Sequence, residues 1–477
     1  MLSKYLIPLS LPLLSSVSAA AIDQSAYASN AILHRDVVVI GGGSSGTYAA
    51  VNLKRAGHSV VLVEKESKLG GHVDTFQDPT TGGTFDYGVV ALINTTIVRD
   101  YFAFLNESLM DIGGGVPGAP LYANLNTDAQ SIPLPPSIPW SDPAAVFASL
   151  LGYGAQVSNY PFLTGGYDLP DPVPADLLLP FGEFLEKYNL QAFANTAFRF
   201  DQGMGNILAV TTLYAFKYLP KTTIDAFVGL APPPVASATL NLQGFYDKAL
   251  TYLGAGTNAF VSSRVIAINR SGPRVLVAVL TPSGPKLISA KKILFAIQPQ
   301  KSSLQEMNLD LNLEESSIFG QFNNSYYWDI VIKNSGIPSN VSVTNLDVNA
   351  PLGIPALPGL YGFAPAPLPG YTNAYYSSPG FKTDASVKAE VLATVNKFVQ
   401  ANGFPPGSPQ IVGFNSHAPF WLTVPPAKIA EGFYAQLNGL QGKRNTWWTG
   451  ATFVAHDSSA IWRWSEETLL PSLKASL

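Results

Sequence analysis

The stretch from Asp36 to Glu64 constrains the fold more than any other part of the chain. Asp36-Val-Val-Val-Ile40 is an unbroken β-branched run of the kind a strand buried on both faces requires. Gly41-Gly42-Gly43-Ser44-Ser45-Gly46 follows directly. Thr47 to Gly57 then reads as a helix with Ala49, Ala50 and Leu53 on one face and Gly57 as its stop, and Ser59-Val-Val-Leu-Val-Glu64 is a second buried strand ending on an acid. Strand, glycines, helix, strand and acid in that order specify the βαβ unit of a Rossmann-type α/β domain that binds a dinucleotide. Gly41 permits the tight turn, Gly43 lets the backbone approach a pyrophosphate, and Gly46 lets helix and strand pack closely. Ser45 sits at the helix start, where free N–H groups and the helix dipole favour phosphate. Glu64, 18 residues past Gly46, is placed to accept hydrogen bonds from ribose hydroxyls, and its charge disfavours a 2'-phosphate and hence NADP.

The chain has 477 residues, enough for two or three domains at roughly 150 residues each. It contains no cysteine, which removes thiol nucleophiles, CxxC exchange, Cys-ligated zinc and iron–sulfur clusters together. Any redox chemistry therefore needs a bound cofactor. A net charge of -4 and the absence of Lys/Arg runs leave no electrostatic footprint for nucleic acid. Residues 1–21 combine Lys4, an apolar stretch from Tyr5 to Leu14 and small residues from Ser15 to Ala21, the pattern of a signal peptide cleaved after Ala19, Ala20 or Ala21. The expectation is a secreted or secretory-lumen protein, without a stable membrane span, that can carry N-glycans at Asn94, Asn106, Asn269, Asn323 and Asn340.

Past Glu64 the chain reads Lys65-Glu-Ser-Lys68-Leu69-Gly70-Gly71-His72-Val73-Asp74-Thr75, then Gly82-Gly83-Thr84-Phe85-Asp86-Tyr87-Gly88. This resembles the flavin-containing amine oxidase superfamily, whose second motif is R-x-G-G-R-x-x-S/T. Lys68, Gly70, Gly71 and Thr75 match it, and His72 replaces the second arginine. The C-terminal Trp447-Trp448-Thr449-Gly450-Ala451-Thr452 and the following AHDSS are similar to the segment that closes the flavin site in that superfamily. Together with GGH they look most like the fungal group related to β-cyclopiazonate dehydrogenase. The resemblance implies noncovalent FAD held by Gly41, Gly43, Ser45, Gly46, Glu64, Lys65, Lys68, Gly70, Gly71, His72, Gly88, Gly450, Ala451 and Asp457, with Val265 at the adenine through its backbone. The missing cysteine excludes a cysteinyl flavin; an N-linked flavin at His72 stays open.

The implied organisation is an FAD domain from 34–93, 241–304 and 436–477, interleaved with an α+β substrate-binding cap from 94–240 and 305–435. Strands are expected over 260–268, 274–280 and 291–297, and helices over 181–200 and 383–401, the latter with Val387, Val391, Val395, Phe398 and Val399 on its core face. Phe193 and Phe198 are expected in the core. Proline-rich loops are expected at 116–140, 160–180 and 350–370. Gly254-Ala-Gly256-Thr-Asn-Ala259 fits GxGxxA, but a helix precedes it and a strand follows, the reverse of a phosphate turn. Gly113-Gly114-Gly115 has no strand before it, so no second nucleotide site is expected.

Flavin chemistry of this kind takes a hydride at N5 from an activated C–H bond while a polar group takes the proton. His456 and His417 are the candidate catalytic bases, because imidazole titrates near neutral pH. Asp457 is placed to cap a helix. The superfamily lysine that holds a water near N5 has no clear counterpart, Lys301 lacking a register. The leading expectation is an FAD-dependent oxidase or dehydrogenase of a hydrophobic small molecule, as in secondary metabolism, with O2 as acceptor. A flavin-dependent isomerase or cyclase and a non-catalytic flavin binder are the alternatives.

Overall fold

The computed structural model describes residues 22–113 and 119–477. The expected signal peptide, together with Gly114 and Gly115, lies outside the described residues. The glycine turn sits at the centre of a seven-stranded sheet. Its spatial order is Arg264–Asn269, Val275–Thr281, Gly284–Phe295, Ile32–Ile40, Val60–Val63 and Ala259–Phe260, with Thr446–Trp448 beside the end of Gly284–Phe295. Ile32–Ile40 runs parallel to both neighbours, and the Ala259–Phe260 and Thr446–Trp448 pairings are parallel as well. Val37, Val38, Val39, Val61 and Leu62 are wholly inaccessible, which is why these strands read as continuous apolar runs rather than alternating ones.

Two strands differ from the sequence expectation. Gly284–Phe295 starts seven residues before Lys291, because its first half pairs antiparallel with Val275–Thr281 while its second half joins the parallel core. The expected single strand over 260–268 is two. Ser262 turns at φ 48, its N–H donating to the Glu66 carbonyl and that of Ser263 to the Glu64 carbonyl, so the chain leaves the parallel sheet and restarts at Arg264. Gly254 ends the helix Leu242–Leu253 in the left-handed conformation, a C-terminal stop rather than a phosphate turn.

A second seven-stranded sheet runs Gln410–His417, Tyr326–Lys333, Tyr371–Ser378, Gly359–Pro365, Val341–Asn345, Ala119–Ala123, Ser131–Ile132. The helix Asp384–Ala401 covers one face, with Val387, Val391, Val395 and Phe398 packed on Trp328, Ile330 and Ile332 as its spacing predicts. Thr383 caps this helix, and the Trp328 indole donates to Asp384 at 2.9 Å. Strand alternation then sends Tyr327, Asp329 and Val331 to the opposite face, toward the nucleotide sheet.

Two of the proline-rich stretches expected as loops supply strands here: Ala119–Ala123 and Ser131–Ile132 from one, Gly359–Pro365 from another. Pro365 ends its strand, where a missing N–H is tolerated. The expected helix over 181–200 breaks into Phe181–Lys187 and Ala194–Phe200, because Asn189 takes a left-handed turn at φ 54. Phe193 stacks on Tyr153 and Phe198 packs on Tyr361, both in the core. Among the described residues no helix is long and apolar enough to cross a membrane, and no cluster of metal-ligating side chains occurs.

Candidate active site

The glycine turn and the GGH segment are pressed together at the head of the first helix. A Cβ on Gly46 would lie 2.0 Å from the Gly41 carbonyl oxygen, so only glycine lets helix Ser44–Arg55 approach its strand. A Cβ on Gly71 would lie 2.9 Å from Gly43 Cα, and Gly70 N–H donates to the Gly42 carbonyl at 2.8 Å. Two bare backbones thus form one wall. The helix begins at Gly43 with no side-chain cap, leaving its first amides available to an anion. The Glu64 carboxylate is held by backbone donors on both oxygens, Gly42 N–H at 2.6 Å and Glu66 N–H at 2.8 Å. Each oxygen keeps a lone pair for a ribose hydroxyl. This bare, donor-rich groove ending at a fixed carboxylate fits the phosphates and ribose of FAD.

From the other side, Gly450 approaches Ser45 Oγ to 3.5 Å from its would-be Cβ, and Ala451 opens the turn that follows. Ser458 Oγ and the Trp462 indole both reach Ser44 Oγ, at 2.8 and 3.0 Å, which locks the C-terminal helix to the first one. Asp457 caps that helix through Ala460 N–H at 2.8 Å. A Cβ on Gly88 would lie 2.3 Å from the His72 carbonyl oxygen, so the FDYG strand runs directly beneath the GGH turn. Lys68 does not point into the groove as a free cation; it pairs with Asp74 at 2.9 Å. The Lys65 ammonium is turned to solvent, 3.6 Å from Glu66. Val265 is half-buried in the strand that restarts after the Ser262 turn.

Three of the five histidines converge where these segments meet. His72 and His417 have ring centroids 4.1 Å apart, and His72 and His456 lie 6.4 Å apart. Phe420 packs against all three, while Trp421 stacks on His456 at 4.4 Å and touches Tyr218 at 5.2 Å. His72, Tyr218 and His456 lie deep yet keep part of their surface free, so they border an interior space. Burial, aided by the neighbouring imidazoles, holds His72 and His456 well below the usual histidine range. Both are neutral at physiological pH.

His417 is different because it has a partner. Asp329 faces Asn415 in the adjacent antiparallel strand, so His417 is its same-face diagonal neighbour, and His417 Nε2 meets Asp329 Oδ2 at 2.8 Å. Burial pushes Asp329 up to about 7 and His417 down to about 4. The pair is therefore a neutral unit holding one shared proton between about pH 4 and 7, and it loses that proton as pH passes about 7, leaving a carboxylate-oriented imidazole with a free Nδ1. Asp329 was not among the candidates from sequence, although it is the one acid inside the otherwise apolar Tyr326–Ile332 run. Tyr218, Phe420 and Trp421 carried no local signal at all. Lys301 heads the helix Lys301–Glu306 and packs near Gly320, whereas Gln298 is the residue of that segment that reaches the Phe420 carbonyl.

Comparison with known proteins agrees with this geometry. A family model described as an NAD(P)-binding Rossmann-like domain matches residues 39–107. A protein of Cochliobolus heterostrophus named FAD-dependent oxidoreductase is 37% identical, over 98% of this chain and 97% of its own. Beta-cyclopiazonate dehydrogenase of Aspergillus oryzae is 31% identical over 96% of each chain. Among solved structures, a fatty acid isomerase from P. acnes aligns with a TM-score of 0.72 at 18% identity over 92% of this chain and 98% of its own. Cyclohexylamine oxidase from Brevibacterium oxydans aligns at 0.63 and 17% over 93% and 98%. At those identities the two structures establish the amine-oxidase-like fold alone.

Proposed function

The chain belongs to the family of fungal FAD-dependent oxidoreductases that includes beta-cyclopiazonate dehydrogenase, and from that premise we propose that it oxidises a hydrophobic small molecule of secondary metabolism. FAD bound in the groove supplies a hydride acceptor at N5, with O2 as the terminal acceptor in this reading. The side chains supply the rest. Phe420, Trp421 and Tyr218 give the interior space apolar walls that exclude water and position a flat or polycyclic substrate. The observation that carries the reading is the Asp329–His417 pair beside His72. Above about pH 7 its anionic form accepts the substrate proton at His417 Nδ1, and Asp329 holds the imidazolium that results. His456, neutral, stacked on Trp421 and packed at an angle against Phe420, orients the substrate rather than acting as the base.

The test is anaerobic mixing of the flavin-loaded protein with apolar aromatic metabolites while flavin absorbance is followed. Lasting bleaching, reversed by O2 with hydrogen peroxide release, is the predicted result. Product without net bleaching or peroxide would replace this reading with an isomerisation, the activity named for the P. acnes structural neighbour. No response across a broad panel would favour a flavin binder without catalysis.

A further inference from the structure

We propose that the surface groove between the helices Thr96–Phe104 and Leu242–Leu253 is the seat of an N-linked N-acetylglucosamine carried by Asn106, packed on Phe104 and Tyr252. The proposal goes beyond the redox reading and rests only on the expected passage through the secretory pathway. The groove has a volume of about 430 Å³ and is lined by Phe104, Asn106, Asp247, Lys248, Thr251 and Tyr252. The modifiable asparagine thus stands in its wall. Of the five Asn-x-Ser/Thr sequences, only Phe104-Leu105-Asn106-Glu107-Ser108 has an aromatic residue two positions before the asparagine.

The local structure presents Asn106 for modification. Its helix ends at Phe104, Leu105 is buried, and Asn106 turns back at φ 53, its N–H donating to the Ala103 carbonyl at 3.0 Å and that of Glu107 to the Phe102 carbonyl at 2.9 Å. Lys248 Nζ fixes the turn from the second helix by donating to the Asn106 carbonyl at 2.7 Å and to Glu107 at 2.6 Å. The Asn106 side chain is exposed and has no hydrogen-bond partner among the described residues, whereas those of Asn94 and Asn269 are engaged. The transfer joins Asn106 Nδ2 to the anomeric carbon of an oligosaccharide held on a lipid pyrophosphate. That carbon's bond to the pyrophosphate oxygen breaks, the lipid pyrophosphate leaves, and one amide proton passes to solvent.

The groove offers the attached sugar a platform and a polar rim. Phe104, 36% exposed, meets Tyr252 edge to face at 5.0 Å. The Arg55 guanidinium over Phe104 at 4.0 Å and the Lys54 ammonium over Tyr252 at 4.8 Å hold both rings in place. Asp247 and Thr251, both exposed and four residues apart on one helix face, set acceptors beside the rings for the N-acetyl N–H and the sugar hydroxyls. A pyranose ring carries a face of C–H bonds that packs on the electron-rich face of an aromatic ring. That contact is weak between free molecules, but a sugar joined to Asn106 is already beside the rings and loses no translational freedom on docking.

The test secretes the full chain from a yeast that adds high-mannose N-glycans and trims them with endoglycosidase H, which leaves one N-acetylglucosamine on each occupied asparagine. Peptide mass spectrometry reads occupancy, and thermal melts of the FAD-loaded protein read the consequence. Ser108→Ala removes the sugar at Asn106 alone and is predicted to lower the melting temperature by about 2 °C. In the Phe104→Leu and Tyr252→Leu backgrounds the same change should shift it by less than half as much. In chain made in a bacterial cytoplasm, which adds no glycan, Ser108→Ala should leave the melting temperature unchanged. Asn106 bare while other sequons are occupied would overturn this inference alone, and no glycan at any of the five would overturn it together with the secretory reading. Equal melting with and without the Asn106 sugar, a stabilisation that survives in both leucine backgrounds, or an equal loss in the bacterial protein would also overturn it. None of these outcomes bears on flavin reduction, which is read separately.

Discussion

At Gly46 one added methyl group would collide with the Gly41 carbonyl and, at 2.8 Å, with Ala296 Cβ. Gly46→Ala should therefore cost about 3 kcal/mol, seen as a lowered denaturant midpoint, because both neighbours are core backbone or close-packed side chain with no room to give. Glu64→Ala removes the acceptor for two backbone amides, the buried Gly42 N–H and the Glu66 N–H, and the ribose ligand together. It should lose most of its FAD, whereas Glu64→Gln, which keeps one carbonyl oxygen, should retain more; the flavin-to-protein absorbance ratio reads both. Asp201, only 1% exposed, adds a stability slope. Burial raises its folded-state pKa, so the folded chain binds the extra proton and stability falls as pH rises above about 4, the unfolded carboxylate value. Thermal melts of Asp201→Asn should lose that part of the pH dependence, and an unchanged slope would place the titrating group elsewhere. These residues differ in how legible they were. Gly46 and Glu64 lie within one local motif whose spacing encodes their roles, while the burial that raises Asp201 is created only by the tertiary fold.

The antiparallel pair Tyr326–Lys333 and Gln410–His417 is the element on which proton transfer depends. Its register places Asp329 and His417 on one face, and the helix Asp384–Ala401 fixes that register by burying Trp328, Ile330 and Ile332 on the other. Asp329→Asn should leave FAD content intact and slow substrate oxidation by about a hundredfold, the usual share of a positioned base. The sign of the pH effect follows from which form is active. A base must be deprotonated, so the wild-type reduction rate should climb as pH rises through about 7, and the Asn variant should lose that limb. The helix over 384–401 was legible because its apolar spacing repeats within a few turns. The cap sheet was not, since its neighbours come from residues as far apart as 119 and 417 and each strand is short. Pairing across such distances leaves no periodic trace, which is why the stretches at 116–140 and 350–370 read as loops.

On the scale of the whole molecule, the site exists only where four separated segments meet: Gly70–His72, Tyr218, the two cap strands with Phe420 and Trp421, and Gly450–Asp457. Sequence supplied His72, His417 and His456 as separate candidates; the tertiary fold makes them one cluster. With no cysteine, the chain is held by its large aromatic core rather than by disulfides. The proposed passage through the secretory pathway has its own test at this scale. Mass spectrometry should find a mature N-terminus at Ala20, Ala21 or Ile22, with glycans first at the exposed Asn106, Asn323 and Asn340. Asn94 and Asn269 are half-buried, with their side-chain oxygens held by Arg99 and Ser271, and should be modified less. The central claim is that the dinucleotide groove delivers FAD to the histidine cluster. A crystal structure of the FAD-loaded protein tests it most directly: the flavin ring should lie against His72 and His456 with the Asp329–His417 pair at its edge, and a ring bound away from all three histidines would contradict the account.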